Sequence, residues 1–254
     1  MDLTKQKGAA IVKSVDSGVG AAAKYHDVAY PGDTLTYSYI LSKVNGVASQ
    51  SRPPSEERLR LILNGYLRDW CGLTRILDSE PEEDSDKVLM GLKDVLSNRW
   101  ESIRDLSSAS IGEDLSSAQR SKLVSTFNDF DSGWEGLAGE AKRSPVAVAK
   151  LLHMLLPGLC VIWDREHVLN RWFEDANGGR VTFQDSAESY AKYIEFKAEQ
   201  LRLIATNAGS TVGRVSQTLV DRHVKDVARK FPIVSRWIPE PITKILDEWN
   251  YDVG

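Results

Sequence analysis

Residues 145–156 read PVAVAKLLHMLL, and this segment constrains the fold more than any other part of the chain. Ten of its twelve residues are apolar or proline, so a helix here must be enclosed by protein on nearly every side. Only Lys150 and His153 break the pattern, and their spacing of three places both side chains on one face. Because an unpaired buried ammonium is costly, this face is predicted to meet a carboxylate or a cleft. The alternative is that Lys150 reaches the surface and His153 packs as a satisfied core histidine.

Apolar residues recur at helical spacing along most of the rest of the chain. The spacing predicts helices at 59–70, 88–103, 123–130, 190–204, 213–230 and 241–249, the first of them capped by Ser55. Strand signals are limited to an alternation between Leu35 and Leu41 and an apolar run from Leu159 to Trp163. Since strands and helices do not alternate, we predict an all-α, multi-helix globular protein.

The composition is that of an ordinary globular protein, with 254 residues, 42% hydrophobic and 27% charged, which excludes disordered and fibrous classes. We predict one helical protein over 1–254; if it divides, a catalytic lobe at 110–235 would pack on a second lobe from 1–109 and 236–254. Without an apolar span or signal peptide, we expect a cytoplasmic monomer with no membrane contact. Two cysteines without metal-site spacing predict reduced thiols and neither metal nor other cofactor.

Charge is distributed unevenly along the chain. The net charge is −4, yet residues 202–236 hold seven Lys and Arg against two Asp. Such a stretch steers a polyanion such as DNA, and it is equally typical of a solvated helix face. Residues 78–87, by contrast, are strongly acidic and would repel nucleic acid.

Asp164 follows the apolar run and precedes a helical pattern that includes Val168 and Trp172, so we predict that it caps a helix. Capping alone is enough to explain an aspartate here. The same geometry also keeps a carboxylate ionised, because amide donors and the helix dipole favour the charge. In a sheltered site such a carboxylate stabilises the sugar cation that forms when a glycosidic bond breaks. Both interpretations of Asp164 remain open at this point.

Residues 137–171 resemble the catalytic core of the helix-hairpin-helix DNA glycosylase superfamily. A buried helix with Lys150 precedes VIWDREHVLNR at 161–171, which is similar to the superfamily pattern apolar-Asp-x-His-Val-x-Arg with one additional residue, and Leu137-Ala138-Gly139 stands for the hairpin turn. The resemblance implies an enzyme that flips a damaged or modified base out of double-stranded DNA and hydrolyses its N-glycosidic bond. It would act in repair or in defence against phage DNA with modified bases, as a single-function glycosylase rather than a lyase.

The resemblance also implies roles for individual residues. Asp164 would stabilise the sugar cation, with Lys150 and His153 assisting it. The candidate base pocket consists of aromatic residues: Trp134, Trp163, Trp172, Tyr37 and Tyr39. The candidate contacts to the DNA backbone are basic residues: Lys142, Arg143, Arg165, His167, Arg171, Arg214, Lys225, Arg229 and Lys230.

A non-catalytic helical module that binds nucleic acid or a protein partner is the alternative. In that hypothesis Lys150, His153 and Asp164 form a buried polar cluster that fixes helix packing. Release of a base from DNA would distinguish the two. Metal-dependent nucleases and nucleotide-binding machines are disfavoured, because the chain has no H-x-x-x-H, Walker A or G-x-G-x-x-G segment.

Overall fold

A computed structural model of the chain describes residues 8–9, 12–28, 31–44, 46–71, 82–137, 144–230 and 241–251, and most of these residues are helical. The helices are α1 (Val15–Val28), α2 (Pro31–Val44), α3 (Glu56–Arg60, continued by the π-helix Leu61–Trp70), α4 (Glu82–Leu106), α5 (Ser117–Leu137), α6 (Pro145–Leu155), the short π-helix α7 (Arg165–Leu169), α8 (Ala187–Asn207), α9 (Val212–Lys230) and α10 (Ile242–Glu248). Single 3₁₀ turns lie at Val47–Ser49 and Trp249–Tyr251. The prediction of an all-α protein is confirmed.

Serine side chains cap the N-termini of several helices, and Ser14 and Ser116 cap α1 and α5. Ser55 accepts a hydrogen bond from the backbone of Arg58, as predicted, and starts α3. Ser144 and Ser186 cap α6 and α8 in the same way. In each case a hydroxyl satisfies an amide that the first helical turn leaves without a partner.

The alternation from Leu35 to Leu41 suggested a strand and lies instead within α2, so that prediction was wrong. The apolar run Leu159–Trp163 begins in a turn at Leu159 and is not part of the sheet that the structure describes. Two of its carbonyls accept hydrogen bonds from side chains, since the Tyr190 hydroxyl donates to the Val161 carbonyl and the His153 ring to the Cys160 carbonyl. Both cysteines are free thiols.

The helical pattern that was expected to include Trp172 ends earlier, and a small sheet follows it. Strands β1 (Gly8–Ala9), β2 (Trp172–Glu174) and β3 (Arg180–Thr182) pair in this order. β1 runs parallel to β2, and β2 pairs antiparallel with β3, with Phe173 opposite Val181. The turn between β2 and β3 needs Gly178, whose φ of 80° is left-handed. Asp175 braces the same turn by accepting hydrogen bonds from two backbone amides.

Helix α6 forms the centre of the core, and all but one of its residues are buried. It packs against α2, α3 and α5, while α1 packs against α9 and α10. One hydrophobic cluster extends from Val12 to Trp249 and includes residues of both predicted lobes. No helix in the described parts of the chain has the length and apolarity that a membrane crossing requires.

Gly18 in α1 allows a close contact with the C-terminal turn, because a Cβ there would lie 2.7 Å from Trp249 Cζ2. Gly20, on the same helix, has nothing within 4 Å of its Cβ position. We expect Gly18→Ala to lower the free energy of unfolding by about 1–2 kcal/mol, because the buried indole must shift. Gly20→Ala should raise it by roughly 0.5–1 kcal/mol through helix propensity. Urea unfolding of both variants checks this; equal effects would contradict the contact.

Candidate active site

Asp164 occupies the predicted N-cap position of α7, in extended backbone with φ −124° and ψ 145°. Its Oδ1 accepts hydrogen bonds from the backbone N–H groups of Glu166 at 2.8 Å and His167 at 3.0 Å. The second oxygen, Oδ2, accepts no hydrogen bond from the residues that the structure describes, and the side chain is partly exposed. One carboxylate oxygen is therefore fixed by the helix while the other remains available.

Lys150 and His153 share a face of α6 but have different surroundings. Lys150 is buried, and its Nζ donates a hydrogen bond to the Cys71 carbonyl at 3.4 Å. His153 is fully enclosed. Its Nδ1 lies 2.6 Å from the Cys160 carbonyl, and its Nε2 lies 2.7 Å from the Tyr37 hydroxyl. A neutral ring that donates through Nδ1 and accepts from Tyr37 satisfies both bonds.

This enclosure excludes the direct role in catalysis that the sequence suggested for His153, because no surface of the ring is open to a substrate. Burial is also the main reason that the pKa of His153 is lowered to about 3, with Lys244 acting in the same direction. The satisfied core histidine, considered above as an alternative, describes this residue.

We expect His153 to remain a neutral Nδ1–H tautomer from pH 8 down to below pH 5. Its folded pKa lies below the unfolded value of about 6.5, so its linked contribution to stability is complete above that pH and is lost as the pH falls towards 3. Long-range ¹H–¹⁵N spectra of the histidine rings measure the protonation state directly. Protonation of this ring near pH 6.5 would contradict the assigned hydrogen bonds.

Helix α10 carries a group of buried charges that sequence analysis did not select. Lys244 Nζ lies 3.0 Å from Glu248 Oε1 and 3.5 Å from Asp247 Oδ2, and all three side chains are enclosed. On the neighbouring helix α9, His223 Nε2 lies 3.7 Å from the other Glu248 oxygen. We call Lys244, Asp247, Glu248 and His223 the α10 ion cluster.

A second buried cation, Lys197 of α8, lies beside this cluster. Its Nζ donates to Asn250 Oδ1 at 2.8 Å, and Asn250 Nδ2 donates to the Tyr193 hydroxyl at 2.7 Å. The ammonium also lies 5.6 Å and 5.7 Å from the ring centroids of Tyr193 and Phe173. Burial lowers the pKa of Lys197 to about 7, against the opposing effect of Asp247.

Asp164 acts electrostatically on Asp247, a member of the α10 ion cluster. Burial raises the pKa of Asp247 to about 6; Lys244 opposes the rise, whereas Glu248 and Asp164 add to it. Asp164 also raises the pKa of Tyr193, after burial and Asp247. The charge of Asp164 therefore affects the pKa of a residue inside the cluster. Asp247 Oδ1 is buried without a hydrogen-bond partner among the described residues.

The four described aromatic residues predicted for a base pocket have different surroundings, and two of them are buried. Tyr37 and Trp163 are core residues with almost no exposed surface. Tyr39 is exposed, and since two residues on a helix are about 200° apart it projects from the opposite side of α2 to Tyr37. Trp172 is partly exposed, with the Arg180 guanidinium 5.1 Å from its ring centroid. The side chain of Trp134 lies outside the described residues.

The predicted DNA-binding residues fall into three groups: undescribed, bonded within the protein, and exposed or partly exposed. Lys142 and Arg143 lie outside the described residues. Several others have partners within the protein: Arg165 pairs with Asp185, Arg171 donates to the Asn250 carbonyl, Arg229 pairs with Asp226, and Lys230 donates to the Ala23 carbonyl. Arg214 and Lys225 are exposed on α9, and His167 is partly exposed beside Asp164. The basic residues nearest Asp164 are therefore partly committed to the fold.

No family model, curated protein or solved structure matches this chain. Within the parts that the structure describes, no group of three His, Cys, Asp or Glu side chains is arranged to hold a metal ion. Asp164 and the charges around it are therefore the observations that bear on function.

The α10 ion cluster gives a stability prediction. Lys244→Met should lower the free energy of unfolding by about 3–5 kcal/mol, because it leaves two buried carboxylates without this cation. Lys93→Met is the matched control, since Lys93 is exposed and lies 3.9 Å from Glu56 in a solvated pair. It should change stability by less than about 1 kcal/mol. Denaturant titration measures both variants, and equal values would contradict a buried ionic role for Lys244.

Proposed function

We propose that the protein is a DNA glycosylase in which Asp164 stabilises the positive charge that develops on deoxyribose as the N-glycosidic bond breaks. The carboxylate with one oxygen fixed by two amides and the other available is the observation that carries the proposal. A fixed negative charge near the sugar lowers the barrier because it need not reorganise during the reaction.

Asp164 affects the pKa of three described titratable groups, His167, Tyr193 and Asp247, and His167 is the partly exposed one. Asp164 raises the pKa of His167, whereas burial, the largest effect, lowers it, and Lys150 and Arg171 also lower it. A largely neutral His167 beside the carboxylate is suited to hydrogen bonding with a water molecule or a phosphate. In this proposal Lys150 acts as a positive charge near His167, and hydrolysis needs no covalent bond to its amine.

The proposal assigns base stacking to fewer residues than the sequence suggested. With Tyr37 and Trp163 in the core, Trp172 is the aromatic of the original set that is partly exposed and follows Asp164 closely in sequence. Because the Arg180 guanidinium lies 5.1 Å from its ring centroid, this cation would have to share the ring with a base or move. A flipped base needs one open aromatic face and hydrogen-bonding groups at its edge.

Asp164→Asn tests the catalytic role. The amide keeps a cap acceptor but loses the charge, so we expect base release to fall at least about a hundredfold while the fold persists. Purified protein is incubated with duplexes that contain undamaged, damaged or hypermodified bases, and alkali then cleaves any abasic site.

Asp175→Asn is the matched control, because Asp175 also accepts hydrogen bonds from two backbone amides, at 2.8 and 2.7 Å, but in the β2–β3 turn. It should retain activity. Borohydride should trap no covalent adduct if hydrolysis is direct. If Asp164→Asn released bases at the wild-type rate, the assignment would be wrong, and absence of release from every duplex would favour a non-catalytic binding module.

A further inference from the structure

Tyr39 lies in a surface cleft between α2 and α3 that the proposed function does not use. Tyr39 is 42% exposed, and among the described residues the other large apolar side chain with an exposed surface is Met90. The cleft has a volume of about 550 Å³, within the range of small-ligand sites. We call it the Tyr39 cleft; its lining residues are Tyr39, Lys43, Glu57, Arg58, Arg60, Leu61, Asn64 and Gly65.

The cleft is positively charged, with three basic residues and one acidic residue in its lining. Arg60 is compensated by Glu56 at 3.0 Å, so its charge is partly used within α3. Arg58 donates to the neutral amide oxygen of Gln50 at 3.3 Å. Among the described residues, no carboxylate lies within ion-pair distance of Arg58 or Lys43, and both keep their charge for an anion.

The aromatic ring and the cations are positioned together. Lys43 follows Tyr39 by one helical turn, and its Nζ lies 5.4 Å from the ring centroid. Its flexible stem lets the ammonium move from the ring to a bound anion. The two helices pack closely, because their inner faces are buried and Gly65 leaves room for Ile40, whose Cδ1 lies only 3.0 Å from the position of a Cβ.

These features narrow the chemistry of the ligand. A simple anion would use the cations but gain nothing from an exposed ring, and an uncharged aromatic ligand would gain little from two uncompensated cations. A nucleotide uses both, because its base stacks on an aromatic face and its phosphate pairs with Lys or Arg. The exposed amide of Asn64 adds a donor and an acceptor at the edge of the cleft.

We propose that the Tyr39 cleft binds a nucleotide unit of single-stranded nucleic acid, with the base on Tyr39 and the phosphate at Lys43 and Arg58. This site is separate from Asp164 and does not depend on the proposed glycosylase activity.

Fluorescence anisotropy with a fluorescein-labelled dT12 strand tests the proposal on the full chain. Tyr39→Leu keeps apolar bulk but removes the ring and should raise Kd at least about fivefold, whereas Tyr39→Trp should keep or lower it. Lys43→Ala with Arg58→Ala should weaken binding and reduce the slope of log K against log salt by roughly 0.7 for each phosphate that the protein no longer neutralises.

Met90→Ala is the matched control, an exposed apolar side chain on α4 that should leave Kd unchanged. Asp164→Asn should also leave it unchanged, which separates this site from the glycosylase proposal. Competition by dTMP as strong as by unlabelled dT12, per nucleotide, would identify a free nucleotide as the ligand of the same chemistry. Equal Kd for wild type and Tyr39→Leu, or equal competition by poly-glutamate, would overturn the proposal.

Discussion

The packing of helix α10 depends on ion pairs whose charged side chains are buried away from water. Lys244 meets two carboxylates within a single turn, and the nearby ammonium of Lys197 is held by an amide oxygen and two aromatic rings. Each of these groups alone would be expensive to bury, and together they are tolerable because opposite charges and hydrogen bonds replace water. His223 connects the cluster to α9, α1 also packs on α10, and the charge of Asp164 adds to the raised pKa of Asp247.

Helix positions followed from apolar spacing because a helix in this fold buries one continuous face. Ser55 and Asp164 were recognisable as caps for a local reason, since a cap needs only its neighbours in the chain. The strand alternation from Leu35 to Leu41 misled because α2 buries Tyr37, Ile40 and Leu41 on a helical face and exposes Tyr39, and period alone cannot separate the two patterns over seven residues.

The burial of the α10 ion cluster could not be predicted from neighbouring residues in the sequence. Asp247 and Glu248 follow Lys244 by three and four residues, as in many solvent-exposed helices. Their burial results from packing against other helices, and one of these, α1, lies near the opposite end of the sequence. The same limit applies to His153. Its residue type suggested chemistry, but only the packing of α2 on α6 reveals that Tyr37 occupies the free ring nitrogen. Asp164 remains a candidate because its environment, unlike that of His153, leaves one polar atom accessible.

Asn250 occupies an unusual position in this network. Its side-chain oxygen accepts a hydrogen bond from Lys197, and its side-chain NH2 group donates one to the Tyr193 hydroxyl. Its backbone carbonyl accepts a hydrogen bond from Arg171, in the segment that follows α7. One residue near the end of the chain therefore anchors two cations from different parts of the fold. Cleavage of the chain directly after α10 would remove the hydrogen bonds of Asn250 to Lys197 and to Arg171 together. Water would then reach the ammonium of Lys197. The backbone near Asp164 would also lose a contact, although Asp164 itself is unchanged. An intact C-terminal turn therefore indicates that Lys197 and Arg171 still have Asn250 as their hydrogen-bond partner.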